Sequence, residues 1–215
     1  MPSPHSLFPI PQPLNILVLV SGGGSNLQAL IDAQTAGTLN GARVVAIVSD
    51  REGVYALERA RAAGIPAIVE KPNPGLAKTE RRRELSDRIL CVCREKEIGL
   101  VVLAGFLSIL SGVILEEYSG RIVNLHPALL PKFGGDGMYG IHVHRAVIAA
   151  GETESGCTVH LVDAGTDTGP ILLQRRVPVL PGDTPESLAQ RIHKEEHVAI
   201  VEAVRVMVER LCFSR

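Results

Sequence analysis

A chain of 215 residues, 46% hydrophobic and 21% charged, is long enough for one substantial domain and too apolar to be disordered throughout. Its 22 basic and 23 acidic residues leave a net charge of −1, which excludes a global field for nucleic acid or an acidic membrane. Aromatics make up only 3%, with no Trp, so the core must be built from Val, Ile, Leu and Ala, which suits a buried parallel sheet and excludes base-stacking platforms.

The first 13 residues carry Pro2, Pro4, Pro9, Pro11 and Pro13 and read as an extended, poorly ordered leader, with a folded unit from 14 to 215. No Lys or Arg precedes Arg43, which excludes the basic start of a signal peptide. Leu14–Val20 (LNILVLV) is apolar but for Asn15 and predicts a buried strand, followed by a glycine-rich turn and a helix over Leu27–Ala36. Arg43–Val48 predicts a second strand, Tyr55–Ala63 a helix stopped by Gly64, and Ile65–Val69 a third strand. A long mixed-charge helix over Lys78–Lys96 precedes strands at Leu100–Ala104 and Arg121–Leu125. The apolar stretch Ile98–Leu110 is too short for a bilayer of roughly 30 Å. Beyond Pro131 come a glycine-rich loop (Phe133–Gly140), a helix (Val143–Ala150), two strands (Cys157–Val162 and Ile171–Val177) and a closing helix from Pro185. Pro178 marks the second of these as an edge strand. The alternation of apolar strands with amphipathic helices predicts a single α/β domain, doubly wound around a mostly parallel, Rossmann-like sheet. Cys91, Cys93, Cys157 and Cys212 form no C-x-x-C pair and read as free thiols of a cytoplasmic protein.

Three segments carry chemistry. Ser21-Gly22-Gly23-Gly24-Ser25-Asn26 joins a strand to a helix, where backbone N–H groups and a helix N-terminus favour a phosphate. It is neither the dinucleotide fingerprint, which needs Gly where Leu27 stands, nor a Walker A loop. The rival reading is a tight turn with Ser25 or Asn26 as helix cap. Asn124-Leu125-His126-Pro127 ends the fifth strand, where parallel sheets bind ligands. Asn and His two residues apart project the same way, and a carboxamide beside an imidazole can polarise a carbonyl and exchange protons. Asp163-Ala164-Gly165-Thr166-Asp167-Thr168-Gly169-Pro170 offers two carboxylates able to orient His126, or two Asx-turn residues; spacing does not choose between them. Arg81-Arg82-Arg83 reads as a solvated helix face paired to Glu and Asp at i,i+4, with one cation to spare for an anionic ligand. His193 and His197 lack a third ligand for a metal, and Glu195-Glu196 reads as surface.

Together, LNILVLVSGGGSNLQAL, VVLAGFLSILS, IVNLHPALLPKF and GCTVHLVDAGTDTGPILLQ resemble the glycinamide ribonucleotide formyltransferases, folate-dependent enzymes of purine synthesis, over Leu14 to about Val208. The resemblance implies a catalytic trio of Asn124, His126 and Asp167, choosing Asp167 over Asp163. It places the phosphate on Gly24, Ser25 and Asn26, and the glycinamide substrate against Glu196. It places the folate on Asn124, Leu107, Ser108, Ile109 and Leu110, with Arg82. Ser108 departs from the basic residue many members carry, and the Phe133–Gly140 loop is longer than in some. The implied reaction is direct, metal-free transfer of the formyl group of 10-formyltetrahydrofolate to the ribonucleotide amine. Protonated His126 and Asn124 would stabilise the oxyanion, and Asp167 would hold the imidazole. The expected partners are these two small molecules, with no nucleic acid or membrane; a homodimer stays open. One transferase domain is expected, without the RNA-binding or regulatory additions of related formyl-handling enzymes.

Overall fold

The computed structural model describes residues 13–212. The proline-rich leader therefore lies outside the described residues, Pro13 excepted. Seven strands form one sheet in the order β3-β2-β1-β4-β5-β6-β7. They are β1 (Asn15–Val20), β2 (Arg43–Ser49), β3 (Ala67–Val69), β4 (Leu100–Leu103), β5 (Ile122–His126), β6 (Glu154–Leu161) and β7 (Ile171–Pro178). β3 through β5 pair in parallel, and β6 and β7 extend the sheet antiparallel.

The apolar runs follow from burial on both faces. Ile16, Val18 and Val20 of β1 pack on one side against α1 (Ser25–Thr35), α2 (Tyr55–Ala62) and α6 (Pro185–Cys212). Leu17 and Leu19, which alternate with them, pack on the other side against α3 (Lys78–Glu95) and α4 (Val113–Glu117). Every residue of β1 after Asn15 is fully covered, so no polar alternation survives in its sequence. α5 (Ile141–Ala149) joins the first layer through Val147.

Three local readings are revised. α1 begins at Ser25, two residues before the apolar pattern does. β6 begins at Glu154 because the turn-like Ser155 and Gly156 pair with Val177 and Arg176 of β7. A Cβ on Gly156 would sit 1.9 Å from the Arg175 carbonyl oxygen, so the close approach of the two backbones requires glycine there. The single-turn α4 follows Gly112 (φ 77°) and is too short to show a period.

The strand order reverses between β1 and β4, and there the loops after both strands part to leave a crevice. Ser21 ties the two loops together: its N–H donates to the Gly105 carbonyl (3.1 Å) and its Oγ accepts from the Leu107 N–H (2.8 Å).

Candidate active site

The crevice is a cavity of about 840 Å³ running from the glycine loop, past the segment after β4, to the end of β5. Every site residue that the resemblance implies lines it: Gly24, Ser25, Asn26 and Glu196 at one end, Asn124, His126 and Asp167 at the other, Leu107–Leu110 and Arg82 along the side.

At the glycine end, Gly24 caps α1 with φ 70°, and no side chain caps the helix. The capping by Ser25 or Asn26 that the rival reading needed does not occur. The first intrahelical bond runs from the Gln28 N–H to the Gly24 carbonyl (2.9 Å), leaving the first-turn amides for a ligand. A Cβ on Gly24 would stand 2.7 Å from Ala56 Cβ, so glycine is required both by conformation and by the packing of α2. Asn26 instead turns its amide to Glu196, donating from Nδ2 to Oε2 (3.2 Å), while its own Oδ1 is buried without a hydrogen-bond partner among the described residues.

Glu196 corrects the surface reading. It shares the buried stripe of α6 with Leu188, Ile192 and Ile200 and is only 5% exposed. Burial raises its pKa, against the pull of His193 (3.8 Å) and of the Asn26 amide. A half-satisfied buried carboxyl beside an unpartnered carbonyl oxygen suits a ligand that brings N–H donors.

At the other end, antiparallel register sets Asn124 opposite His160 and His126 opposite Thr158, all on one face. The Asn124 Nδ2 lies 3.1 Å from His160 Nε2 and 3.2 Å from Asp167 Oδ1, so both amide hydrogens have acceptors. His160 Nδ1 donates to the Leu161 carbonyl (2.8 Å), and its Nε2 also stands 3.4 Å from Asp167 Oδ1. His126 Nε2 donates to the Phe133 carbonyl (2.8 Å), and its Nδ1 stands 3.4 Å from Asp167 Oδ2. Asp167, with φ 58°, also accepts from the Gly135 N–H (3.0 Å), so its carboxylate bridges both histidines and the glycine-rich loop.

Of the two carboxylates that spacing left open, Asp163 is the turn residue: its Oδ1 accepts from the Gly165 N–H (2.9 Å) and the Thr168 hydroxyl (2.6 Å). His160 was missed by the sequence reading, although it stands inside one of the quoted segments. Its signal is the period-two spacing from Thr158, which becomes informative once β6 is known to pair with β5.

Burial holds the His126 pKa below the ordinary imidazole value; Asp167 and the Phe133 carbonyl pull it up, and His160 lowers it further. The balance favours the neutral ring in the free protein, whereas the implied mechanism uses the protonated one. Burial pushes Asp167 up, yet His160, His126 and the Gly135 N–H together bring its pKa below the usual carboxylate value. The pair sets an imidazole against a fixed carboxylate, with Nδ1 on the Asp167 side and Nε2 on the Phe133 carbonyl.

Along the side wall the Ser108 hydroxyl donates to Asp50 Oδ2 (2.7 Å). Arg82 reaches not a neighbour on α3 but Asp136 of the glycine-rich loop, at 4.0 Å. The expected i,i+4 pairing on α3 is made by Arg88 with Glu84 instead.

Residues 14–204 match the formyl transferase family. The phosphoribosylglycinamide formyltransferase of Escherichia coli is 41% identical over 189 residues, covering 86% of this chain and 82% of that protein. The trifunctional purine biosynthetic protein adenosine-3 of Drosophila melanogaster is 45% identical over 195 residues, and this chain, 90% covered, spans 14% of its length. The crystal structure of glycinamide ribonucleotide transformylase 1 from Symbiobacterium toebii superposes with a TM-score of 0.82 at 41% identity, over 92% of this chain and 88% of that one. Sequence and fold agree over nearly the whole described domain, and the chain belongs to the formyl transferase family.

Proposed function

We propose that the protein transfers the formyl group of 10-formyltetrahydrofolate to the amine of glycinamide ribonucleotide. The observation that carries this reading is one cavity with an amide-rich glycine turn at one end and the Asn124–His126–Asp167 network at the other. That is the layout required by a phosphorylated amine and a carbonyl donor. Support also comes from relatives named for this reaction that this chain matches over most of their length.

In this reading the α1 first-turn amides and Ser25 hold the phosphate. Glu196 and the Asn26 Oδ1 receive the N–H groups of the glycinamide, placing its amine toward the β5 end. The folate lies along Leu107–Leu110, where backbone and aliphatic side chains hold the pterin and Arg82 meets its carboxylate. Ser108, turned to Asp50, supplies no charge there.

As the amine attacks the formyl carbon, negative charge grows on its oxygen. Asn124 then exchanges one of its long bonds (3.1 and 3.2 Å) for a charge-assisted bond to that oxygen. His126, neutral beforehand, takes up the proton that the attacking nitrogen must lose. The imidazolium formed faces the Asp167 carboxylate, which stabilises it, and the proton passes on to the departing folate nitrogen. No helix among the described residues is long and apolar enough to cross a membrane, and the four cysteines are free.

The test is an assay of purified protein with both substrates, following the change in folate absorbance on loss of the formyl group. Turnover that requires both substrates supports the reading. Hydrolysis of the formyl donor at the same rate without the ribonucleotide would replace it with a deformylase.

A further inference from the structure

We infer that Arg59 is a ribonucleotide-binding residue: it sets the glycine turn and supplies the cation that meets the phosphate. This rests on the proposed placement of the phosphate at that turn.

Arg59 lies on α2, half-buried, and lines the same cavity as Gly22–Asn26. Arg59 and Arg82 are the two Arg or Lys residues on its walls, and Arg82 belongs to the side facing Asp136. Its Nε donates to the Gly23 carbonyl (2.8 Å) and its Nη1 to Gln28 Oε1 (3.0 Å), while the guanidinium lies over the Tyr55 ring at 4.8 Å. Gln28 is itself held, donating from Nε2 to Asp32 Oδ1 (2.8 Å). The guanidinium is thus fixed on three sides, and its Nη2 makes no hydrogen bond among the described residues.

Two effects follow. In a planar trans peptide the C=O and N–H point opposite ways, so drawing the Gly23 carbonyl to Arg59 turns the Gly24 N–H away from α2. The same bond offsets the carbonyl dipole, which would otherwise repel a phosphate dianion. The free Nη2 then offers a charge-assisted bond to a phosphate oxygen. In a chain with near-zero net charge, a local cation of this kind adds to the helix N-terminus the attraction that a dianion needs.

The experiment compares wild type with Arg59→Gln and Arg59→Lys. It reads kcat and KM for each substrate, and competitive inhibition by inorganic phosphate against the ribonucleotide. The expected result for Arg59→Gln is a rise of about 10- to 100-fold in ribonucleotide KM, a parallel weakening of phosphate inhibition, and kcat and folate KM within about threefold of wild type. Arg59→Lys, which keeps charge without the fork, is expected to recover part of the loss. An unchanged ribonucleotide KM in Arg59→Gln would overturn the inference, as would equal losses for both substrates, which mark a merely structural role. If phosphate fails to compete in wild type, the placement of the phosphate itself fails, and the inference with it.

Discussion

At the β1 end the cavity is built around a backbone turn; at the β5 end it is built from a network of side chains. The first surface is the turn around Gly24, rigid because α2 leaves no room for a Cβ and because the strands beneath it are buried on both faces. The second is a network of Asn124, His126, His160 and Asp167, where each polar atom depends on another's orientation. A backbone surface tolerates little change in shape but much in side-chain identity. A side-chain network tolerates the reverse: isosteric changes keep the fold and remove the chemistry. In the proposed reading the glycine turn after β1 binds, and the network where parallel β5 meets antiparallel β6 reacts.

This division is sharpened most by the trio. Asp167→Asn and His126→Ala are expected to lower kcat by about a thousandfold, near 4 kcal/mol, with both KM values within a few-fold. A loss confined to KM would place binding, not chemistry, at the β5 end. Gly24→Val tests the other end: the positive φ and the clash with Ala56 should cost about 3 kcal/mol of stability in denaturant unfolding. It should also weaken ribonucleotide binding more than folate binding. A stable variant with normal ribonucleotide affinity would make the turn a connector only.

The floor of the reactive end is expected to respond to acid. Burial, reinforced by His193 and His126, pushes the His144 pKa down to about 4. A group with a depressed folded pKa leaves the unfolded state the better proton binder below pH 6.5. Stability is thus full above that value and falls by about 3 kcal/mol as pH drops through 4. His126 and His197 add to it with the same sign. His144→Phe should flatten the pH dependence of the melting temperature between pH 6.5 and 4; an unaltered slope would assign it to other groups. His160→Ala, which frees the Asn124 amide to rotate, is expected to lower kcat about tenfold, with partial recovery in His160→Gln. Smallest of all, Ser108→Ala should change folate KM by less than about threefold, since its hydroxyl is engaged with Asp50.

The same contrast explains what could be read from the chain alone. Gly22-Gly23-Gly24 announces a backbone surface because the residue type and the geometry are one thing. Asn124 and His126 were legible because both sit on one strand at period two. His160, 36 residues from Asn124, enters only through the pairing of β6 with β5, and Glu196 only through α6 turning its apolar stripe onto α1. A charged residue in an apolar stripe looks like surface until the partner helix is in place. Arg59 was hidden for the same reason, as its bond to Gly23 crosses from α2 to the β1 turn. Resemblance supplied Glu196 and selected Asp167; residue spacing alone did neither.

The central claim is that Asp167 and His126 act on the chemical step while the glycine turn acts on binding. Its most direct test is a single-turnover measurement of formyl transfer by Asp167→Asn with both substrates saturating. A rate about a thousandfold below wild type, with ribonucleotide affinity unchanged by equilibrium titration, is the predicted result. A single-turnover rate within about threefold of wild type would contradict it.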